Sequence, residues 1–166
     1  IKHASYFFSA EPKITWLDAE KYEKFPRELK ELKNFNGIIV PGGFGSRGVE
    51  GKIKVIEFCR KNKIPFFGLC LGMQLAIIEF AKNICGVKNA LSREFFDKKT
   101  KEGDCQMVID IMPDQKEKLN KKNYGGTMRL GAYECKLTPG TISHKSYNTS
   151  LISERHRHRY ELNNKF

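Results

Sequence analysis

The sequence predicts an α/β domain whose parallel sheet is covered by helices on both faces. Three observations carry that expectation. The apolar run Gly37-Ile38-Ile39-Val40 ends abruptly in Pro41-Gly42-Gly43-Phe44-Gly45, a buried strand delivering a glycine loop. A second apolar run, Ile64 to Leu69, ends in the same manner at Gly68-Leu69-Cys70-Leu71-Gly72. Each loop leads into a stretch with helical apolar spacing. Strand, loop, helix, strand, helix at this density implies a parallel sheet, in which ligands bind beyond the carboxyl ends of the strands. Both glycine loops fall there.

Taken in order, Ile14 to Leu17 reads as a strand, and Glu20 to Lys33 as helix or connection interrupted at Pro26. From Val49 to Lys61, Val49, Ile53, Ile56 and Cys59 recur at helical spacing. After the strand from Ile64, a helix is expected from about Gly72 to Asn83, with Leu75, Ile78 and Ala81 on one side and Ala76 and Phe80 beside them. The second half is less regular. Met107 to Met112 and Thr127 to Leu137 read as strands around a polar loop, Asp114 to Asn123, and Ser153 to Leu162 alternates as a further strand. No internal repeat occurs.

A chain of 166 residues with 40% hydrophobic residues can bury one core, and disorder is excluded as the default. No apolar run approaches the roughly 18 residues that span a bilayer, so no membrane partner is expected. The absence of an initial Met reads as a piece cut from something longer. Cys59, Cys70, Cys85, Cys105 and Cys135 form an odd set without a CxxC pair, which fits neither a disulfide framework nor a zinc ribbon. A reducing cytoplasm is the simpler assumption. The net charge of +11 raises the question of nucleic acid. Much of the excess, however, is lysine in polar stretches such as Lys98 to Lys101 and Lys116 to Lys122, and no polynucleotide-binding signature accompanies it. A solvated basic surface is expected, with an anionic ligand as the next reading.

Cys70 is the focus of the chemistry. A thiol on a sharp strand-to-helix turn has the helix N-terminus directly beneath it, where unpaired N–H groups and the helix dipole stabilise a thiolate. The same amides can hold an oxyanion formed when sulfur attacks a carbonyl carbon. Gly68 and Gly72 flank the turn because a tight elbow needs unusual dihedrals and close strand–helix approach. The competing reading is a buried, inert cysteine at a strand end. The Pro41 to Gly45 loop is either an ordinary turn or a second source of oxyanion donors; a phosphate cradle fits less well, since no Lys-Ser/Thr ending follows. In Glu154-Arg155-His156-Arg157-His158-Arg159-Tyr160-Glu161, alternation would put the arginines on one face and both histidines on the other. No further cluster completes a metal site with His156 and His158, so no metal is expected. One arginine holding a carboxylate ligand, or a salt-bridged strand, fits better.

Together these stretches resemble the glutaminase domain of the CTP synthase family, within the wider class I glutamine amidotransferases. The matching segments are Gly37 to Ile53, Pro65 to Glu79, Asn89 to Phe95, Gly125 to Gly131 and Glu154 to Asn163. Gly-x-Cys-x-Gly alone would indicate only the wider family. The resemblance implies a three-layer αβα domain of flavodoxin-like class that spans residues 1–166 and hydrolyses L-glutamine to glutamate and ammonia. It implies that a separate synthase domain of the same polypeptide, absent from this chain, uses ATP and magnesium to convert UTP into CTP. The domain itself would need no cofactor, and the full-length protein would be a homo-oligomer, a tetramer. Carried over by position, Cys70 is the nucleophile that forms a glutamyl thioester, and the backbone amides of Gly43 and Leu71 make the oxyanion hole. Gly72, Met73 and Gln74 line the glutamine site, with Glu94 for its ammonium and Arg159 for its carboxylate. Phe44 and Arg47 resemble the region where the family senses GTP as an allosteric activator.

The chain also departs from that pattern. The family activates its cysteine with the histidine of a His-Pro-Glu segment, but none of His3, His144, His156 and His158 is followed by Pro-Glu. A protein ending at Phe166 is therefore expected to have little glutaminase activity, because a general base contributes roughly 10²–10⁴-fold. The domain's first strand is likewise expected before Ile1. Arg93 stands beside Glu94 where the family more often has a small polar residue. A non-catalytic regulatory or assembly domain of the same fold is the alternative reading.

Overall fold

The computed structural model describes residues 1–96, 104–112, 131–155 and 158–166. The chain divides into two compact units, Ile1–Leu75 and Ala76–Phe166.

The first unit opens with a short helix, α1 (Lys2–Phe7), which the sequence pattern did not announce. The strand expected at Ile14 to Leu17 is absent, and this stretch has no regular structure. A strand needs a ladder partner and a buried face; Ile14 and Trp16 are exposed, and β1 and β2 pair with each other. Helix α2 (Ala19–Lys24) starts at Asp18, whose carboxylate accepts a hydrogen bond from the Glu20 amide at 3.0 Å. The chain then tightens into a 3-10 helix, Pro26–Asn34, so the interruption falls at Pro26 as expected. Strand β1 (Ile38–Val40) runs parallel to β2 (Phe66–Gly68), with Ile38 opposite Phe66 and Val40 opposite Gly68. Between them lies α3 (Val49–Asn62), and Val49, Ile53, Ile56 and Cys59 are all buried. Lys63 stops α3 in a left-handed conformation, letting the Ile64 amide reach the Cys59 carbonyl at 2.9 Å. The core gathers Tyr22, Leu32, Val55 and Cys59, with Ile38, Phe58 and Phe66 against them. Helix α4 (Leu71–Asn83) begins in this unit, one residue earlier than expected.

In the second unit Ile78 and Ala81 of α4 are buried, whereas Phe80 is about half exposed. Strand β3 (Ala90–Ser92) runs parallel to β4 (Gln106–Ile111), and β7 (Tyr160–Leu162) pairs antiparallel with β4. Ala90, Met107, Val108, Ile109 and Met112 are buried. A separate antiparallel ribbon joins β5 (Ala132–Lys136) to β6 (Leu151–Arg155), with a short helix, α5 (Ile142–Tyr147), between them. Thr141 caps α5 by accepting the His144 amide at 3.2 Å.

The single strand expected from Ser153 to Leu162 is a correction. It is two strands in two ladders, β6 against β5 and β7 against β4, and His158 and Arg159 belong to neither. Alternation reports a pleat but not the partner, and changing partners requires the backbone to leave one ladder. The common arginine face is lost with it: Arg155 ends β6 and Arg159 precedes β7. The lysine stretch 98–101, the loop 114–123, the motif from Gly125 to Leu130, the first residues of the 127–137 strand, and His156 and Arg157 lie outside the described residues.

Candidate active site

Strand β2 ends at Gly68, and Cys70 follows with φ of 53°, the left-handed region that a side chain seldom occupies. Its backbone is tied on both sides. The Leu69 amide donates to the Val40 carbonyl at 2.9 Å, and the Gln74 amide donates to the Cys70 carbonyl at 3.1 Å. Cys70 therefore stands at the cap of α4, where the first amides of the helix have no intrahelical acceptor. The elbow closes only with glycine. A Cβ built on Gly68 would lie 2.6 Å from the Gly72 carbonyl carbon, and one on Gly72 would overlap the Val40 carbonyl oxygen.

The loop after β1 lies against the thiol. A Cβ on Gly42 would meet the Cys70 Cβ at 3.2 Å and its Sγ at 3.7 Å, and one on Gly43 would meet Leu71 Cδ2 at 3.5 Å. Gly42 was not singled out from the sequence; the doubled glycine was its only signal. Leu71 and Gln74 are buried, Met73 is about half exposed and Cys70 is part-buried. Phe44 projects from the same loop with 86% of its surface exposed, and Arg47 pairs with Glu20 of α2.

The second unit brings its own predicted residues together. Ser92 ends β3 and caps a 3-10 turn, Arg93–Phe95, accepting the Glu94 amide at 3.2 Å. Burial raises the Tyr160 hydroxyl above its ordinary value; the Glu94 charge raises it further and Arg159 lowers it, so both charges act on one phenol. Tyr160 was not anticipated as a site residue. Arg159 has its Nε buried with no hydrogen-bond partner among the described residues. Arg93 is not loose surface: its Nε lies 3.2 Å from Asp110 Oδ1, with both side chains mostly covered.

Residues 1–166 match the model of the family described as Glutamine amidotransferase class-I. The chain belongs to this family. Among curated class I relatives it is 53% identical over 166 residues to a CTP synthase of Carboxydothermus hydrogenoformans, covering 100% of this chain and 29% of that protein. It is 48% identical to a CTP synthase of Listeria monocytogenes, covering 100% of this chain and 30% of the relative. The chain thus spans 29% to 30% of the length of these relatives. A solved structure described as the Trypanosoma brucei CTPS glutaminase domain with bound acivicin aligns with a TM-score of 0.83 and 38% identity, over 99% of this chain and 60% of that one. The fold is therefore that of a class I amidotransferase, as expected.

Within this amidotransferase the other thiols have different surroundings. Cys59 is fully buried, and burial pushes it up to about 11, so it stays a neutral thiol. Cys85 and Cys135 are exposed, and Cys105 is part-buried. Only Cys70 combines a strand end, a left-handed backbone and a helix start. Among the described residues no three His, Cys, Asp or Glu side chains gather as a cation site, and no helix is long and apolar enough to cross a membrane.

Proposed function

We propose that this chain is the glutaminase domain of a CTP synthase. The observation that carries the reading is Cys70, held with φ of 53° between β2 and α4 and flanked by the Gly42-Gly43 loop. The Cys70 sulfur attacks the side-chain carboxamide carbon of L-glutamine. The negative charge that develops on the carbonyl oxygen is met by the Gly43 and Leu71 amides. Collapse of this adduct breaks the C–N bond, releases ammonia and leaves a glutamyl thioester, which water hydrolyses to glutamate. The resemblance assigns the accompanying proton transfers to the histidine of a His-Pro-Glu segment, which these 166 residues do not contain.

The resemblance assigns recognition of the amino-acid head to Glu94 and Arg159, and contact with the glutamine side chain to Gly72, Met73 and Gln74. A buried Arg159 Nε without a hydrogen-bond partner among the described residues supports its role toward a carboxylate. Glu94 stands on the 3-10 turn after β3, and its charge acts on Tyr160, the chain neighbour of Arg159, which supports placing the two ends of an amino-acid head at this end of the unit. The ammonia then serves a synthase domain of the same polypeptide, where ATP and magnesium drive amination of UTP to CTP. The assembly is a cytoplasmic homo-oligomer. For GTP as activator, the exposed Phe44 ring and the largely exposed Arg47 fit a base and a phosphate, provided Arg47 leaves or shares Glu20.

Labelling with a chloroketone analogue of glutamine, followed by peptide mapping, tests the reading. Modification confined to Cys70, and lost in Cys70→Ser, is expected. Equal modification of Cys59 or Cys135 overturns it.

A further inference from the structure

Helix α3 begins without a cap of its own. Its N-cap is Gly48, with φ of 69° and no side chain to accept a hydrogen bond. The amide of Gly51, third residue of the helix, is nevertheless satisfied: it donates to Glu23 Oε1 of α2 at 3.1 Å. That is the bond an N-cap side chain ordinarily makes, supplied here from 28 residues away. A carboxylate at this point also complements the positive end of the helix dipole.

The fit around this bond is tight. A Cβ on Gly51 would lie 3.1 Å from Glu23 Cγ and would overlap the Ala19 carbonyl oxygen, and one on Gly48 would meet Ala19 Cβ at 3.2 Å. Lys54 Nζ donates back to the Glu23 carbonyl at 3.3 Å, and Arg47 pairs with Glu20. So α2 grips the exit of the glycine loop. The entrance is fixed by the β1–β2 ladder and by the Leu69 amide on the Val40 carbonyl. Gly43 hangs between these two anchors.

We infer that Glu23 is a positioning residue: by capping α3 in place of Gly48 it fixes the loop that aims the Gly43 amide at the oxyanion. The inference rests on the reading of Gly43 given above. An oxyanion donor displaced by about 1 Å costs transition-state stabilisation more than ground-state binding, so kcat falls and KM does not.

The test uses the intact enzyme and compares Glu23→Ala, Glu23→Gln and Glu23→Asp for glutaminase kcat, KM and thermal midpoint. Glu23→Ala should lower kcat about 10-fold or more with KM for glutamine within about 3-fold. Glu23→Gln, which keeps the acceptor oxygen, should hold kcat within about 3-fold of wild type. Wild-type kcat in Glu23→Ala, a loss confined to KM, or an equal kcat loss in Glu23→Gln overturns the proposal. If Glu23→Ala does not fold, Glu23→Asp decides, because it keeps the charge but withdraws it by one methylene. Reduced kcat at an unchanged melting midpoint supports the inference, and wild-type kcat overturns it. Glutaminase activity that survives Cys70→Ser in an otherwise wild-type enzyme would overturn the parent reading instead.

Discussion

Gly72 packs directly on the Val40 carbonyl: a Cβ on residue 72 would overlap that oxygen and lie 3.0 Å from the Val40 side chain. The neighbour is backbone of a paired strand, which cannot swing aside as a side-chain tip would. Gly72→Ala should therefore destabilise by about 2–3 kcal/mol, in the upper range for overpacking. Gly86→Ala is the comparison, because Gly86 has φ of 74° but nothing within 4 Å of the place an added methyl would take, leaving a conformational cost of about 1 kcal/mol. Urea midpoints decide between them. A Gly72→Ala loss no larger than that of Gly86→Ala would refute the close approach.

Cys70 holds a left-handed backbone at the strand-to-helix turn, and that conformation costs roughly 1 kcal/mol in a residue with a side chain. Cys70→Gly should then be more stable than Cys70→Ala by about 0.5–1 kcal/mol, although both lose the proposed nucleophile. Thermal unfolding of the two variants side by side measures this. Equal stability would mean that the elbow is not strained.

Both glycine loops and the helices after them were legible in the sequence, because each apolar run ends at glycine and the next stretch turns to helical spacing. At α3 the four expected positions, Val49, Ile53, Ile56 and Cys59, are all buried. What failed was partner choice. Ile14 to Leu17 has strand-forming residues but no ladder, and Ser153 to Leu162 alternates through a point where the chain changes sheets. Long-range contacts were equally hidden. Nothing local to Gly48 or Gly51 announces Glu23, and nothing around Arg93 announces Asp110 on β4.

Acid should weaken the first unit through Glu31. Its Oε1 accepts the Tyr22 hydroxyl at 2.6 Å and Lys21 Nζ at 3.0 Å. The Tyr22 bond first, and Lys21 second, hold this carboxyl below its ordinary value. A depressed folded value means the unfolded chain takes up the proton first as pH falls. The stabilisation is thus complete above the ordinary glutamate value of about 4.3 and is lost as pH drops through the lower folded value. Tyr22→Phe should cost about 1 kcal/mol at pH 7 by removing the strongest of these bonds. Its deficit should shrink as pH falls from about 4.3 toward about pH 3, because there the unfolded chain takes up the proton that the bond to Tyr22 holds off Glu31 in the folded protein. Urea titrations at both pH values check this; a deficit that does not shrink would locate the effect in packing rather than in Glu31.

Alkali should act through Cys59, which is 0% exposed in the cluster with Tyr22, Leu32 and Val55. Burial raises its thiol to about 11. The linkage has the opposite sign from Glu31. Above the ordinary thiol value of about 8.5 the unfolded chain releases its proton while the folded protein keeps it, so stability declines from there toward about 11. Cys59→Ala removes that titration and should flatten the alkaline limb, at a cost of about 1 kcal/mol near neutrality for the lost sulfur packing. Comparing urea midpoints of wild type and Cys59→Ala at about pH 7.5 and pH 10 cancels the tyrosines and lysines common to both. Iodoacetamide supplies an independent check under native conditions near neutral pH. The exposed Cys85 and Cys135 should react promptly, and Cys59 only in molecules that have unfolded. Native-state modification of Cys59 as fast as Cys135 would place the thiol in solvent and remove the basis for the alkaline limb.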